Sequence, residues 1–190
     1  MVDIVLALFF VAFIYSHLTA FFMGAGWSML LFAISETFIV LFFIIRSKAQ
    51  SVTSEPFDFA LAIGATFAGL LFRPDSTPLL IADMLIFFGV IVQTTALLSL
   101  NTSFGIVPAN RGVKQSGLYG IVRHPMYLGY LFLYVGYVIA SFTYINFIIF
   151  LIAETLQILR LFAEERHLSL SPEYQVYAQK VRWKMIPFLF

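Results

Sequence analysis

The stretch Leu79-Leu80-Ile81-Ala82-Asp83-Met84-Leu85-Ile86-Phe87-Phe88-Gly89-Val90-Ile91-Val92-Gln93-Thr94-Thr95-Ala96-Leu97-Leu98-Ser99 holds one charge, Asp83, in 21 residues. About 20 mostly apolar residues wound as a helix cover the hydrocarbon thickness of a bilayer. Moving outward from it, five more stretches repeat the pattern: roughly 4–24, 27–46, 57–72, 126–141 and 144–163. The third is short, and the last two form a tight hairpin through Ser141-Phe142-Thr143. The whole chain agrees, with 61% hydrophobic residues, 11% charged residues and 23 Phe in 190. Soluble domains average about 45–50% apolar and about 25% charged residues, so there is too little polar surface here to cover a water-soluble globule. The expected fold class is all-α: a polytopic transmembrane helix bundle of about six spans, or five if two merge, in one integral membrane domain over 1–190. Residues 1–100 supply the N-terminal spans and 101–190 the remainder.

The positive-inside rule orients these spans. With the N-terminus in the cytoplasm and six crossings, Arg46, Lys48, Arg111, Lys114, Arg123, Arg160, Arg166, Lys180, Arg182 and Lys184 fall on the cytoplasmic side. Of the 11 basic residues, Arg73 alone falls opposite. Both termini are then cytoplasmic, and residues beyond about 163 form a cytoplasmic helical extension. The N-terminus lacks the basic region of a cleavable signal peptide, and its apolar run outlasts an h-region. The chain has no Cys, which excludes disulfides, thiolate metal sites and cysteine nucleophiles. The His/Asp/Glu spacing forms no metal cage, and no nucleic-acid partner is expected.

Four ionisable residues fall within the apolar stretches: His17, Glu36, Asp83 and Glu154. Charge at bilayer depth is costly and faces protein or water. Each has a functional reading as part of a proton or ion path, and a plainer one as a helix-to-helix hydrogen bond or an interfacial group. The plainer one suits His17 and Asp83. Glu154 begins a series, since Gln157, Arg160, Glu164 and His167 follow at steps of three, three, four and three, which share a helix face. Opposite stand Leu156, Leu159 and Phe162. A helix lining a polar pocket has this form, as does one emerging into water with an Arg160–Glu164 pair; the second reading weakens for the deeper Glu154 and Gln157.

The other concentration is Gly117-Leu118-Tyr119-Gly120-Ile121-Val122-Arg123-His124-Pro125-Met126-Tyr127-Leu128-Gly129. Pro125 fixes its own φ, pushes His124 toward an extended backbone, and opens a helix without losing a hydrogen bond. Arg123 and His124 therefore sit at a helix N-terminus, where unpaired amides attract an anion. Gly117, Gly120 and Gly129 allow a backbone or a ligand to approach closely. By local rules alone the same residues equally mark a topology signal followed by a helix start. The 23 residues from Asn101 to Arg123 contain four Gly and one Pro, and a loop of that length is more often functional than idle.

Gly117-x-Tyr119 with Arg123-His124-Pro125-Met126-Tyr127-Leu128-Gly129, and then Arg160-x3-Glu164-Glu165-x2-Leu168, Tyr174-x2-Tyr177, Val181-Arg182 and Pro187, resemble the isoprenylcysteine carboxyl methyltransferase family. That broad group also takes in the membrane phospholipid N-methyltransferases. The resemblance runs from near Leu100 to the end, so 101–190 is read as a methyltransferase-like core. It implies a largely buried pocket for S-adenosylmethionine, with Gly117, Tyr119, Arg123, His124, Pro125, Tyr127, Gly129, Glu164 and Glu165 contacting or shaping it. It implies catalytic roles for Arg160, Glu165 and Arg182, the two arginines lying near the acceptor head group. The acceptor would be a lipophilic small molecule or lipid-modified substrate drawn from the membrane.

In-line methyl displacement needs alignment more than covalent help. Carboxylates suit a sulfonium cofactor, and an Arg can hold an acceptor carboxylate or phosphate through two hydrogen bonds. A carboxylate acceptor requires no general base; an amine acceptor must be neutral to attack, and His124 or His167 are then the candidates. The chain departs from the family at Ser169-Leu170-Ser171-Pro172, where members commonly carry Phe-Gly, and its link to the tail tyrosines is shorter. An alternative resemblance is to membrane sterol reductases, which share Arg-His-Pro and a Tyr-rich basic tail and use NADPH. They usually have Asn where this chain has Met126 and an acidic residue where it has Tyr130. A non-enzymatic transporter or scaffold predicts polar residues spread through many spans, whereas here they gather at one membrane face.

Overall fold

The computed structural model describes residues 2–24, 27–72 and 79–190. Among them are seven α-helices: α1 (Val2–Phe22), α2 (Trp27–Ile45), α3 (Pro56–Phe67), α4 (Leu80–Leu100), α5 (Pro125–Ala140), α6 (Tyr144–Leu168) and α7 (Pro172–Lys180). The fold class is all-α. The described strands are two-residue pieces, β1 (Ser51–Val52) and β2 (Ala109–Asn110), paired antiparallel with Ser51 opposite Asn110.

The first six helices coincide with the six apolar stretches to within a few residues at most ends. By length and composition two of them, over Leu80–Ser103 and Tyr144–Leu168, are long and apolar enough to cross a membrane. The third is shorter than expected: α3 has 12 residues and gives way to a 3₁₀ turn at Ala68–Leu71. Helix and turn together rise about 26 Å, a little under a hydrocarbon core of about 30 Å. α6 runs five residues past the expected boundary at 163. Arg73, the single basic residue expected on the opposite side, lies outside the described residues.

Local chemistry sets the helix starts. Pro125 and Pro172 occupy the first turns of α5 and α7, where a missing N–H costs nothing. Thr143 caps α6, its Oγ1 accepting from the Asn146 amide at 3.0 Å. α4 and α5 form the most extensive helix pair, and glycines make it possible. A Cβ on Gly129 would stand 2.9 Å from Gln93 Cβ and 3.0 Å from the Gly89 carbonyl oxygen; one on Gly89 would stand 2.8 Å from the Leu133 nitrogen. Small residues at such a crossing let backbones approach where no water drives helices together.

Two of the ionisable residues in the apolar stretches take the plainer reading. His17 Nδ1 lies 2.9 Å from Glu36 Oε2, joining α1 to α2. Asp83 is exposed in the first turn of α4.

At the end of the bundle carrying most basic residues, the linker after α2 and the loop after α4 are stitched together. Ser47 N donates to Thr102 O at 2.7 Å, Gln50 N to Asn110 O at 2.7 Å and Thr53 N to Pro108 O at 3.0 Å. Asp58, 1% exposed at the start of α3, accepts from Thr53 Oγ1 at 2.7 Å and from Arg166 of α6 at 2.6 Å. These bonds fasten α3 and the loops to the end of α6, under the layer in which the site lies.

Candidate active site

α6 presents its polar series inward. Glu154, Gln157, Arg160 and His167 are all buried, while Leu159 and Phe162 on the opposite face are exposed. This face is packed against the protein rather than entering water, and of its members Arg160 and Glu164 reach the cavity described below. Arg160 is 7% exposed. Its Nη2 donates to the Ile106 carbonyl at 2.7 Å, and its guanidinium carbon stands 5.7 Å from the centre of the Tyr127 ring.

The start of α5 meets the end of α6 through carboxylates. His124 Nε2 lies 2.6 Å from Glu165 Oε1, and Arg123 Nη2 lies 3.2 Å from Glu165 Oε2. A carboxylate only accepts, so Nε2 carries the hydrogen. Tyr174 of α7 donates to the same Glu165 Oε1 at 2.5 Å, and Tyr127 donates to Glu164 Oε2 at 2.8 Å. Burial and the adjacent Glu165 charge raise the Tyr174 phenol well above its ordinary value, so it remains a donor. Burial, then Glu164, likewise raises Tyr119.

The tail completes the enclosure from behind. Tyr177 donates to the Tyr119 carbonyl at 2.7 Å. The Arg123 amide donates to Trp183 O at 3.0 Å and the His124 amide to Lys184 O at 2.7 Å. Pro125 fixes the chain direction at this point, and the tail carbonyls satisfy two amides just before the helix.

These elements enclose one cavity. Tyr119, Arg123, His124, Tyr127, Arg160 and Glu164 line it, together with Phe104, Arg111, Lys114, Tyr130, Tyr174 and Tyr177. Among the described residues, Nε of Arg123 and Nε of Arg160 are both buried without a hydrogen-bond partner. A buried donor left unpaired costs free energy and points to a group not present. Two cationic donors of this kind fit an anion.

Some of the expected residues stand elsewhere. Glu165 supports the cavity wall through His124 and Tyr174. Pro125 is buried behind it, and Gly117 is a turn glycine (φ 60°) whose Cβ would meet Ser99 Oγ at 2.7 Å. Gly129 belongs to the α4–α5 crossing, since a glycine that admits a helix and one that admits a ligand look alike in sequence. Arg182 is exposed, and His167 Nε2 is 3.0 Å from Ser51 Oγ in a second, more open cleft, so neither lies among the groups facing the cavity. Tyr130 was not anticipated, although it lies one turn beyond Met126. Arg111 and Lys114 entered the sequence reading only as topology charges; the glycines around them, Gly105 and Gly112, were the available signal.

The apolar helices thus enclose a tyrosine-walled cavity that also carries charged groups. A family model described as phospholipid methyltransferase matches residues 77–175. The match covers just over half of the 190 residues, and the chain belongs to that family. The matched segment contains Arg123, His124, Arg160, Glu164 and Glu165, and it favours neither the nicotinamide reductase nor the non-enzymatic scaffold. A search of curated proteins found no match.

Proposed function

We propose that this protein transfers the methyl group of S-adenosylmethionine to a lipophilic acceptor at the cytoplasmic face of a membrane that it spans about six times. The observation carrying this reading is the junction of Arg123 and His124 with Glu165 beside a cavity into which Arg160 and Glu164 also face. When bound, the cofactor supplies an electrophilic methyl on a positively charged sulfur. The donor set suits it: Glu164 offers negative charge toward an amino or sulfonium group, and Tyr119, Tyr127 and Tyr130 offer ring faces that attract cations. Arg123, Arg111 and Lys114 offer positive charge toward a carboxylate.

Arg160, on α6, holds the acid group of a carboxylate- or phosphate-bearing acceptor, a role that its unpaired Nε supports. Glu165 acts as a positioning residue, fixing the His124 ring and the Arg123 guanidinium at the helix start. The apolar bundle below gives the acceptor's hydrocarbon a route from the bilayer, and the buried setting excludes water. Prenylated carboxylates and phospholipid amines are both compatible with these groups.

Incubation of the purified protein with methyl-labelled S-adenosylmethionine and total membrane lipid tests the reaction. Label should enter an organic-extractable lipid, and its identification names the acceptor. Complete absence of labelled lipid across membrane extracts, with reduction of a lipid by NADPH instead, would reverse the reading. The topology is tested separately, since the chain has no Cys. Impermeant maleimide added outside sealed right-side-out vesicles should label Phe142→Cys and not Lys114→Cys; the reverse pattern contradicts the orientation.

A further inference from the structure

Residues 180–190 are joined to the site by their backbone and carry side chains that the site does not use. The Trp183 and Lys184 carbonyls hold the Arg123 and His124 amides at 3.0 and 2.7 Å. Met185 is buried with Tyr127 and Leu161. The segment closes on itself, Met185 N and Ile186 N both donating to Phe190 O at 2.8 Å. On its outer side Phe188 is 86% and Leu189 77% exposed, with Trp183 against the Phe188 ring at 5.7 Å. Lys180 and Arg182 of the same segment are also exposed.

The position of this surface identifies its occupant. Phe190 packs on Phe162 with ring centres 6.0 Å apart, and Lys184 Nζ stands 5.9 Å from the Phe162 ring and 4.9 Å from the Phe190 ring. Phe162 lies on the outward face of α6, within the apolar stretch. The segment therefore sits where a spanning helix leaves hydrocarbon, with aromatic and aliphatic side chains next to three basic groups. Aromatic residues favour that depth, and basic residues near it are drawn to anionic head groups.

We infer that residues 180–190 form a membrane-seated clasp: anionic lipid of the adjacent leaflet engages Lys180, Arg182 and Lys184 while Phe188 and Leu189 enter the acyl boundary, and this seating holds the Arg123–His124 helix start in place. The inference rests on the membrane setting of the proposed function but not on methyl transfer itself. It gives Arg182 a role that its outward position permits. Each basic residue at an anionic surface strengthens attachment by about fivefold, so removing two weakens the clasp by more than tenfold.

Hydrogen exchange of the full chain in lipid nanodiscs tests this without any methyl acceptor. The Arg123 and His124 amides report clasp opening because their acceptors are on the clasp. The Ser47 amide, bonded to Thr102 O, serves as reference. In equimolar phosphatidylcholine–phosphatidylglycerol, exchange at Arg123 and His124 should be roughly tenfold slower than in phosphatidylcholine alone, with Ser47 unchanged. Lys180→Gln with Arg182→Gln should erase the difference between lipids. Phe188→Ser with Leu189→Ser should speed exchange at both amides in either lipid. Equal exchange in the two lipids, or a lipid difference that survives the Lys180/Arg182 pair, overturns the clasp. Loss of methyl transfer with intact clasp behaviour would count against the enzymatic reading alone.

Discussion

Glu165→Gln should lower methyl transfer on the order of a hundredfold, the scale of a misplaced reacting group, and should also lower the melting temperature in detergent. The carboxylate takes Arg123 at 3.2 Å, His124 at 2.6 Å and Tyr174 at 2.5 Å, so it is the only group that touches the helix start and α7 together among these contacts. Gln keeps the volume but removes the charge and turns one oxygen into a donor, which faces the His124 and Arg123 donors. Removing one partner of a buried charged cluster costs about 3 kcal/mol or more. Glu165→Asp shortens the reach and keeps the charge, and it should recover part of the stability while activity stays low. A Glu165→Gln protein with full activity and an unchanged melting temperature would remove the junction from the account.

Arg160→Met should reduce kcat/KM for the lipid acceptor by roughly a hundredfold, equivalent to about 2.7 kcal/mol, and change the affinity for S-adenosylhomocysteine by less than about threefold, well under 1 kcal/mol. Arg160 sits between the Ile106 carbonyl at 2.7 Å and Thr66 Oγ1 at 3.4 Å, with Nε unpaired. Those neutral partners leave its charge available to an acceptor. Lys supplies charge without the planar donor fork, so Arg160→Lys should restore only part of the rate. Steady-state kinetics with the acceptor found by lipid labelling, alongside titration of S-adenosylhomocysteine, separates the two effects. Equal loss of both would place Arg160 in the cofactor site instead.

The legible part of this fold is what a helix announces by itself. Apolar runs of helical length gave α1, α2, α4 and α5 to within about two residues, and the start of α6, where Pro125, Thr143 and the Ser141–Thr143 turn punctuate the last pair. The inward face of α6 was legible for the same reason, since Glu154, Gln157 and Arg160 recur at a helical period in an apolar setting. What stayed hidden was pairing between distant segments. Nothing local in Ser51-Val52 shows that it joins Ala109-Asn110. Nothing in Trp183 or Lys184 shows that their carbonyls receive the Arg123 and His124 amides, since backbone groups carry no sequence signature. Gly129 was legible as a point of close approach, but a glycine does not name the neighbour, here Gln93 and Gly89 of α4. Arg182 was carried to the site by motif position and His167 by its helical spacing on α6; Arg182 is exposed beyond α7, and His167 meets Ser51 rather than the cavity. The two carboxylates divided in a way that adjacency concealed: Glu164 faces the cavity, while Glu165 takes the helix start.

The helix start at Arg123–His124 meets the Glu164–Glu165 pair beside one cavity, which we propose holds S-adenosylmethionine. Thermal unfolding of the detergent-purified wild-type protein with S-adenosylhomocysteine, with NADP as the parallel ligand, tests it most directly. At a hundred times its Kd, S-adenosylhomocysteine should stabilise the folded chain by about 2.7 kcal/mol, raising the melting temperature of the wild type but not of Glu165→Gln at the same concentration, with NADP inert. Stabilisation by NADP and none by S-adenosylhomocysteine would contradict it.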